Sequence, residues 1–120
     1  TPNMFNEYHA LLDEFIQYHE DFVAVTNEKI LNFEGEVFLF GGHIFSQYLI
    51  GFGLKTERIN CILDNSPIKI GKRLYGTSLK VKSPEVIRNK KCAVILKVAT
   101  YRSEIMDQLI KINPNVVIIE

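Results

Sequence analysis

The sequence has little cysteine, no long apolar run and no signal peptide, and each absence excludes a class of protein. Two cysteines in 120 residues do not make the disulfide framework of a small secreted domain. They form no CxxC pair or Cys/His cluster, so no zinc site is expected. No apolar run approaches the roughly 20 residues of a membrane span. We therefore expect a cytoplasmic protein that holds no metal, with Cys61 and Cys92 as free thiols in buried strands.

Other features bear on the size and class of the chain. With 47% apolar and 23% charged residues, the composition is ordinary for a globular domain, so disorder is not expected. A length of 120 residues suits one domain. Because the sequence starts at Thr1 without an initiator methionine, we expect a piece of a longer protein.

Charge of one sign is scarce in each part of the chain. Residues 1–36 carry eight acids against Lys29 alone, a net charge of −7, whereas residues 37–120 carry 13 bases against six acids, a net charge of +7. The basic part is suited to hold phosphate groups, with the acidic segment packed on it or on a neighbouring domain. Two solvated faces that differ by chance remain an alternative. The bases are scattered and not interleaved with aromatics, so we expect no nucleic-acid partner.

Apolar residues recur at steps of three and four from about residue 4 to residue 22, which predicts an amphipathic helix with Asn3 as its N-cap. Beyond Val23 the helix either continues or gives way to a second stretch capped by Thr26. His9 and His19 lack the spacing of a helical metal site, and we interpret them as ordinary amphipathic positions. The apolar stripe needs a sheet or another domain to cover it, and consists of Phe5, Tyr8, Leu12, Phe15, His19 and Phe22.

Four apolar runs, near residues 37–40, 58–63, 93–96 and 116–119, predict buried strands. Helical segments are predicted between them near residues 44–52, 83–89 and 103–112, with a short strand near 79–81. This alternation is typical of βαβ units and a parallel sheet. We predict a Rossmann-like three-layer α/β domain over residues 36–120, with a mostly parallel sheet, preceded by an N-terminal helical segment, residues 1–35, that packs on it.

The turn that follows the first of these strands is the first candidate site. Helix N-termini attract anions through unpaired N–H groups, and glycine lets a phosphate approach the backbone. The GxGxxG fingerprint is degenerate, because Leu39 and Ile44 occupy its first and third glycine positions. The place in the fold nevertheless predicts a phosphate-bearing ligand at Gly41, Gly42 and His43. A tight turn without a ligand is the alternative.

An acidic residue and a basic segment follow the second strand. Asp64 lies 23 residues beyond Gly41, where dinucleotide folds place a carboxylate that accepts ribose hydroxyls. It can equally bond the backbone of the turn that it starts. Lys69, Lys72 and Arg73 come next in a loop made flexible by glycines. We predict that Lys69 and Lys72 contact a phosphate or sugar acid, with a solvated surface loop as the alternative.

Three further residues, Thr100, Tyr101 and Arg102, follow the third buried strand. Ligands of open α/β sheets bind at the carboxyl ends of the strands, so these residues are candidates by position, Tyr101 above all. The sequence contains no nucleophile elbow, paired-carboxylate motif or Walker loop. We therefore predict no catalytic residue in this chain.

Several segments together resemble the C-terminal domain of sugar C-methyltransferases, which methylate deoxysugars attached to a nucleotide diphosphate. The resemblance covers roughly residues 5–120 and implies a parent enzyme with an N-terminal zinc-binding piece and a central domain that binds S-adenosylmethionine. The first turn is less glycine-rich than is usual in that family, and residues 99–101 replace a common tryptophan-asparagine pair. The matching segments are VFLFGGH at 37–43, DNSPIKIGK at 64–72, YGT at 75–77, SPE at 83–85 and VIL at 94–96.

This resemblance implies a domain that holds the nucleotide-sugar and is not catalytic on its own, in bacterial polysaccharide or deoxysugar biosynthesis. It places Gly41, Gly42, Asp64, Lys69 and Lys72 near the ligand. The expected partners are a nucleotide-diphosphate sugar and other domains of the parent chain, with a homodimer left open, and no cofactor is expected in this chain. Three alternatives stay open: an NAD(P)-type dinucleotide-binding domain, the N-terminal domain of a sugar O-acyltransferase, and a packing domain without a ligand.

Overall fold

The computed structural model describes residues 2–42, 44–74, 76–98 and 101–120. Two short 3₁₀ helices, Thr56–Arg58 and Pro84–Ile87, lie before the second and the fourth strand. None of the described helices is long and apolar enough to cross a membrane. The strands are β1 (Glu36–Phe40), β2 (Ile59–Leu63), β3 (Val81–Lys82), β4 (Cys92–Leu96) and β5 (Val117–Ile119), and the helices are α1 (Pro2–Asn32), α2 (Ile44–Gly51) and α3 (Arg102–Ile112).

The five strands form one parallel sheet in the order β3-β2-β1-β4-β5. The chain winds outward from β1 to β3 and then returns to place β4 on the other side of β1. This is the strand order of a Rossmann fold, in which ligands bind outside the carboxyl ends of the strands at the point where the order reverses. The predicted fold class is confirmed, and the switch point lies between β1 and β4.

Both faces of the sheet are covered, which explains why the strands are continuous apolar runs. Successive side chains of a strand point to opposite faces. Leu39 and Ile95 accordingly pack with residues of α1 and α2, whereas Phe38 and Val94 pack with α3 and the 3₁₀ helix Pro84–Ile87. The core is therefore divided into two layers by the sheet.

The two thiols lie in the core layer between the sheet and α3. Cys61 and Cys92 are free and buried, as predicted. Burial raises the pKa of both thiols above the usual range of cysteine. They are therefore protonated at neutral pH, which suits inert packing residues.

Helix α1 is longer than its apolar stripe predicted. It runs unbroken from Pro2 to Asn32, so Asn3 lies inside the helix and no second helix begins at Thr26. Thr26 is instead buried, together with Val23 and Ile30. The prediction of Asn3 as the N-cap is therefore wrong, and packing of the buried residues overrides the low helix propensity around Val23.

Polar side chains link the carboxyl half of α1 to the segment between α2 and β2. Arg58 donates from Nε to Ile30 O at 3.0 Å and from Nη2 to Phe33 O at 2.8 Å, which satisfies carbonyls at the end of the helix. Asn27 donates from Nδ2 to Gly53 O at 3.0 Å. Gly53 itself has a φ of 102° and follows the end of α2, as predicted.

The helix predicted at residues 83–89 is only the single 3₁₀ turn Pro84–Ile87. Its cap is as expected, since Ser83 Oγ accepts the Glu85 N–H at 3.3 Å. The turn does not extend because the backbone leaves helical geometry at Arg88, and Asn89 has a φ of 62°. The capping signal thus marked the start correctly but not the length.

The predicted packing of residues 1–35 on the sheet domain is tested by two neighbouring residues of α1. Ile30 is 0% exposed and Leu31 is 59% exposed. Replacing Ile30 with Ala should lower the free energy of unfolding by about 2–5 kcal/mol, because it leaves a cavity in the core. The control Leu31→Ala should change it by less than about 0.5 kcal/mol. Urea unfolding followed by circular dichroism measures both, and equal small effects would mean that α1 does not belong to the core.

Candidate functional site

Gly41 directly follows β1 at the carboxyl edge of the sheet. Its φ is 110°, a region that glycine adopts without strain. Its N–H donates to Leu63 O at 2.7 Å, and its carbonyl accepts the hydroxyl of Ser46 from the first turn of α2. Both polar backbone groups of Gly41 are therefore bonded within the chain.

Gly42 allows close contact between the first turn and the residues beside it. Its N–H donates to Asp64 Oδ2 at 2.8 Å. A Cβ at this position would lie 3.3 Å from that oxygen, 3.4 Å from Lys69 Cδ and 3.4 Å from Val81 Cγ2. A Cβ here would press on the carboxylate oxygen, so glycine at this position favours the close approach of Asp64.

Asp64 joins two turns through its carboxylate. Oδ2 accepts the Gly42 N–H, and Oδ1 accepts the Ser66 N–H at 2.8 Å. The second bond is the turn-initiating contact weighed as the alternative role of Asp64. Lys69 Nζ lies 4.0 Å from Oδ2. Because a carboxylate has about four acceptor positions, Asp64 retains capacity for a ligand hydroxyl while it holds both turns.

The basic segment after Asp64 is not the flexible loop that we expected. Residues 69–74 and 76–82 lie antiparallel, with Gly71 N donating to Val81 O at 2.8 Å and Val81 N donating to Lys72 O at 2.7 Å. Gly71 is therefore part of a hydrogen-bonded hairpin and not of a flexible loop. The hairpin brings Lys69 to Asp64 and leaves the Lys72 side chain exposed to solvent.

The hairpin also carries an open groove with a volume of about 600 Å³. Its size is within the range of about 300–1,000 Å³ that is usual for small-molecule sites. The groove is lined by Arg73, Leu74, Gly76, Thr77 and Ser78.

Tyr101 is the last of the predicted site residues along the chain. It precedes α3 with a φ of 60°, and its side chain is exposed. Within the described ranges, no hydrogen bond or ion pair joins Tyr101 to the cluster of Gly42, Asp64 and Lys69. Arg102 pairs with Glu120 at the end of β5. The predicted candidates His43 and Thr100 lie outside the described residues.

Lys97 is a residue of this edge that the sequence analysis missed. It follows β4 directly, with Nζ 4.4 Å from the centre of the Tyr18 ring and 5.0 Å from that of Phe22. It also donates to the Tyr18 hydroxyl. The available signal was a lone base directly after a buried strand. Its aromatic partners could not be inferred, because they lie on α1, more than 70 residues away in sequence.

His19 packs as a core residue of α1 rather than as a metal ligand. Its Nδ1 lies 2.8 Å from Phe15 O, and since a carbonyl only accepts, Nδ1 carries the proton. Its ring stacks on Phe52 with 5.5 Å between centroids. Where the structure describes side chains, no three His, Cys, Asp or Glu residues are grouped as a metal site requires.

The link through Asp64 gives a direct test. Asp64→Asn has one carbonyl oxygen for two N–H donors and turns its amide donors towards one of them, so we expect a loss of about 1–3 kcal/mol in the free energy of unfolding. Glu34→Gln removes the same charge from a side chain that is 92% exposed, and should cost less than about 0.5 kcal/mol. Urea titrations of both variants measure the difference. Equal stability of the two variants would contradict the role of Asp64 as the link between β1 and β2.

A comparison with known families identifies the group to which this arrangement belongs. The model of the C-methyltransferase C-terminal domain matches residues 3–116, nearly the whole chain. No curated protein and no solved structure matches the chain. The match includes the β1 turn, Asp64 and the basic hairpin. The chain therefore belongs to the family of C-methyltransferase C-terminal domains.

Proposed function

We propose that this domain binds a nucleotide-diphosphate sugar for a C-methyltransferase that uses S-adenosylmethionine. The observation that carries the proposal is the cluster of Gly42, Asp64 and Lys69 at the carboxyl edge of the parallel sheet. Open α/β sheets bind their ligands at this edge. Family membership supplies the methyltransferase context. The pathway proposed for the parent enzyme is bacterial polysaccharide or deoxysugar biosynthesis in the cytoplasm.

The cluster is suited to hold a ligand by hydrogen bonds and charge. Asp64 has acceptor positions left for the hydroxyls of a ribose. Lys72 and Arg73 bring positive charge to the hairpin that carries the groove of about 600 Å³. These groups bind and orient a ligand rather than transfer a proton or a methyl group. We therefore propose that the domain is not catalytic on its own, and that the parent protein binds the methyl donor elsewhere.

A nicotinamide dinucleotide is the less favoured ligand. Leu39 occupies the first glycine position of the fingerprint and is fully buried in the core between α1 and α2. The glycine fingerprint of nicotinamide dinucleotide-binding domains is therefore incomplete in this chain.

Thermal-shift titration against a ligand panel tests the proposal. The panel contains thymidine, uridine, guanosine and cytidine diphosphate sugars, NAD(H), NADP(H) and S-adenosylmethionine. A ligand that binds only the folded state at 100 times its Kd should add about 2.7 kcal/mol to the free energy of unfolding. We expect a rise in Tm with one or more of the nucleotide sugars and none with the dinucleotides.

A charge reversal tests whether the ligand binds at the hairpin. Lys72→Glu should weaken the binding of the active nucleotide sugar more at low than at high salt. The control Lys55→Glu makes the same charge change at an exposed position before β2, at the opposite edge of the sheet, and should bind like wild type. Stabilisation by a dinucleotide alone would replace the proposal with the NAD(P) alternative. No shift with any member of the panel would favour the packing domain.

A second candidate function, docking against another protein surface, is favoured by the first half of α1. All residues from Met4 to Phe15 are exposed, including Phe5 at 63%, Tyr8 at 66% and Leu11 at 66%. Apolar patches of this kind mark interaction sites in soluble proteins. Residues 1–28 contain no Lys or Arg, so acids alone flank the stripe. The partner surface we propose is apolar with basic residues around it, on another domain of the parent chain or on a second copy.

Self-association of the isolated chain tests this second function. Without a neighbouring domain, the stripe of one copy should bind the basic part of a second copy, residues 37–120. Tyr8→Glu should shift sedimentation velocity towards the monomer, because it places a charge in the apolar contact. Tyr101→Glu is the matched control, since Tyr101 is 73% exposed and lies before α3. A wild type that is monomeric throughout the concentration series would contradict pairing through the stripe.

A further inference from the structure

We propose that Lys97 binds the diphosphate of the ligand at the switch point of the sheet. This inference rests on the proposed function and deepens it, because it assigns the phosphate contact to a residue outside the basic hairpin. It follows from the register of β4, the direction of the Lys97 side chain and the distribution of charge along the carboxyl edge.

The register places Lys97 beside the first turn. β1 and β4 are neighbours on either side of the switch point, and Phe40 pairs with Leu96. Gly41 and Lys97 are therefore the first residues beyond that pair. In open α/β sheets the ligand lies in the crevice outside these two strand ends. Lys97 brings a positive charge to this place.

The direction of the side chain follows from the alternation along β4. Ile95 faces α1 and α2, and Leu96 faces α3. Lys97 is thus expected on the side of α1, and its contacts with Tyr18 and Phe22 agree with this. The space beside Gly42 is closed by Val81, which belongs to the same core layer as Ile95. Lys97 and the Gly42 cluster therefore flank the end of β1 on one face of the sheet.

The charge of Lys97 is not balanced by a neighbouring acid. Lys69 has the Asp64 carboxylate at 4.0 Å, and Arg102 pairs with Glu120. Over residues 2–42, 44–74, 76–98 and 101–120, no ion pair within 4.0 Å includes Lys97. A phosphate would supply the missing counter-charge.

Asp64 keeps anions away from the other side of the β1 turn. Its carboxylate already accepts the Gly42 N–H and would repel a phosphate placed there. The two sides of the turn therefore suit different parts of one ligand. Hydroxyl groups fit beside Asp64, and the diphosphate fits beside Lys97.

Contacts with two aromatic rings fix the position of the Lys97 side chain before a ligand binds. Two rings and a phenol oxygen hold the ammonium in place, which reduces the conformational entropy lost on binding. An ammonium has three N–H donors, and Tyr18 takes one of them. The remaining donors are available for charge-assisted hydrogen bonds to phosphate oxygens.

The test measures binding of two probes, inorganic pyrophosphate and thymidine diphosphate-glucose, by calorimetry at low salt. Lys97→Met keeps the apolar stem against the rings and removes the charge, and should weaken both affinities about tenfold. Lys97→Arg keeps the charge and should bind nearly as wild type. Lys91→Met is the matched control, because Lys91 immediately precedes the other end of β4 and its side chain is 72% exposed. The Tm of each variant checks that it is folded.

The outcomes separate this inference from the proposed function. If Lys97→Met and Lys91→Met bind thymidine diphosphate-glucose equally well, the role of Lys97 is overturned while the proposed function stands. If pyrophosphate binds in a manner that depends on Lys97 but no nucleotide sugar of the panel binds, the diphosphate site stands and the proposed function fails. If wild type binds neither probe nor any nucleotide sugar of the panel, both are overturned.

Discussion

The carboxyl edge of this domain depends on one carboxylate. Asp64 directly follows β2 and accepts the Gly42 N–H from the turn after β1 and the Ser66 N–H from its own turn. Its Oδ2 lies 4.0 Å from Nζ of Lys69, at the start of the hairpin that leads into β3. A Cβ at residue 42 would lie 3.3 Å from Asp64 Oδ2, so its absence favours this close approach. The glycine and the aspartate thus act as a pair. Their hydrogen bond joins the turns that follow β1 and β2, at the edge of the sheet where we propose that the ligand binds.

The hydrogen bond between Gly42 and Asp64 gives the glycines of the first turn a different role from the one they have in dinucleotide-binding folds. In dinucleotide-binding folds the N–H groups of such a turn face the pyrophosphate. Here Gly41 and Gly42 donate to Leu63 O and to Asp64, so the turn already has a bound anion of its own. Positive charge for a phosphate must then come from side chains around the turn. The net charge of +7 over residues 37–120 fits this arrangement, because bases outnumber acids in the part of the chain that forms the sheet.

The sequence predicted most of the fold because its signals were local. Buried apolar runs alternating with amphipathic segments imply a parallel sheet, and the sheet is entirely parallel. Element lengths were predicted less well, since the extension of α1 and the single turn at Pro84–Ile87 are decided by tertiary packing. In the site, the spacing from Gly41 to Asp64 pointed to a shared edge. The contact of Lys97 with Tyr18 joins residues far apart in sequence, and no local pattern encodes it.

Helix α1 connects the two proposed functions. Its length of 31 residues corresponds to about 46 Å at 1.5 Å per residue, more than the sheet can cover. Burial begins near His19, and Tyr18 and Phe22, which hold Lys97, lie at this boundary between the exposed and the packed half. A partner that covers Phe5 and the residues after it would contact the half of α1 that ends at the turn carrying Tyr18. The proposed docking surface and the proposed diphosphate site therefore share one continuous helix.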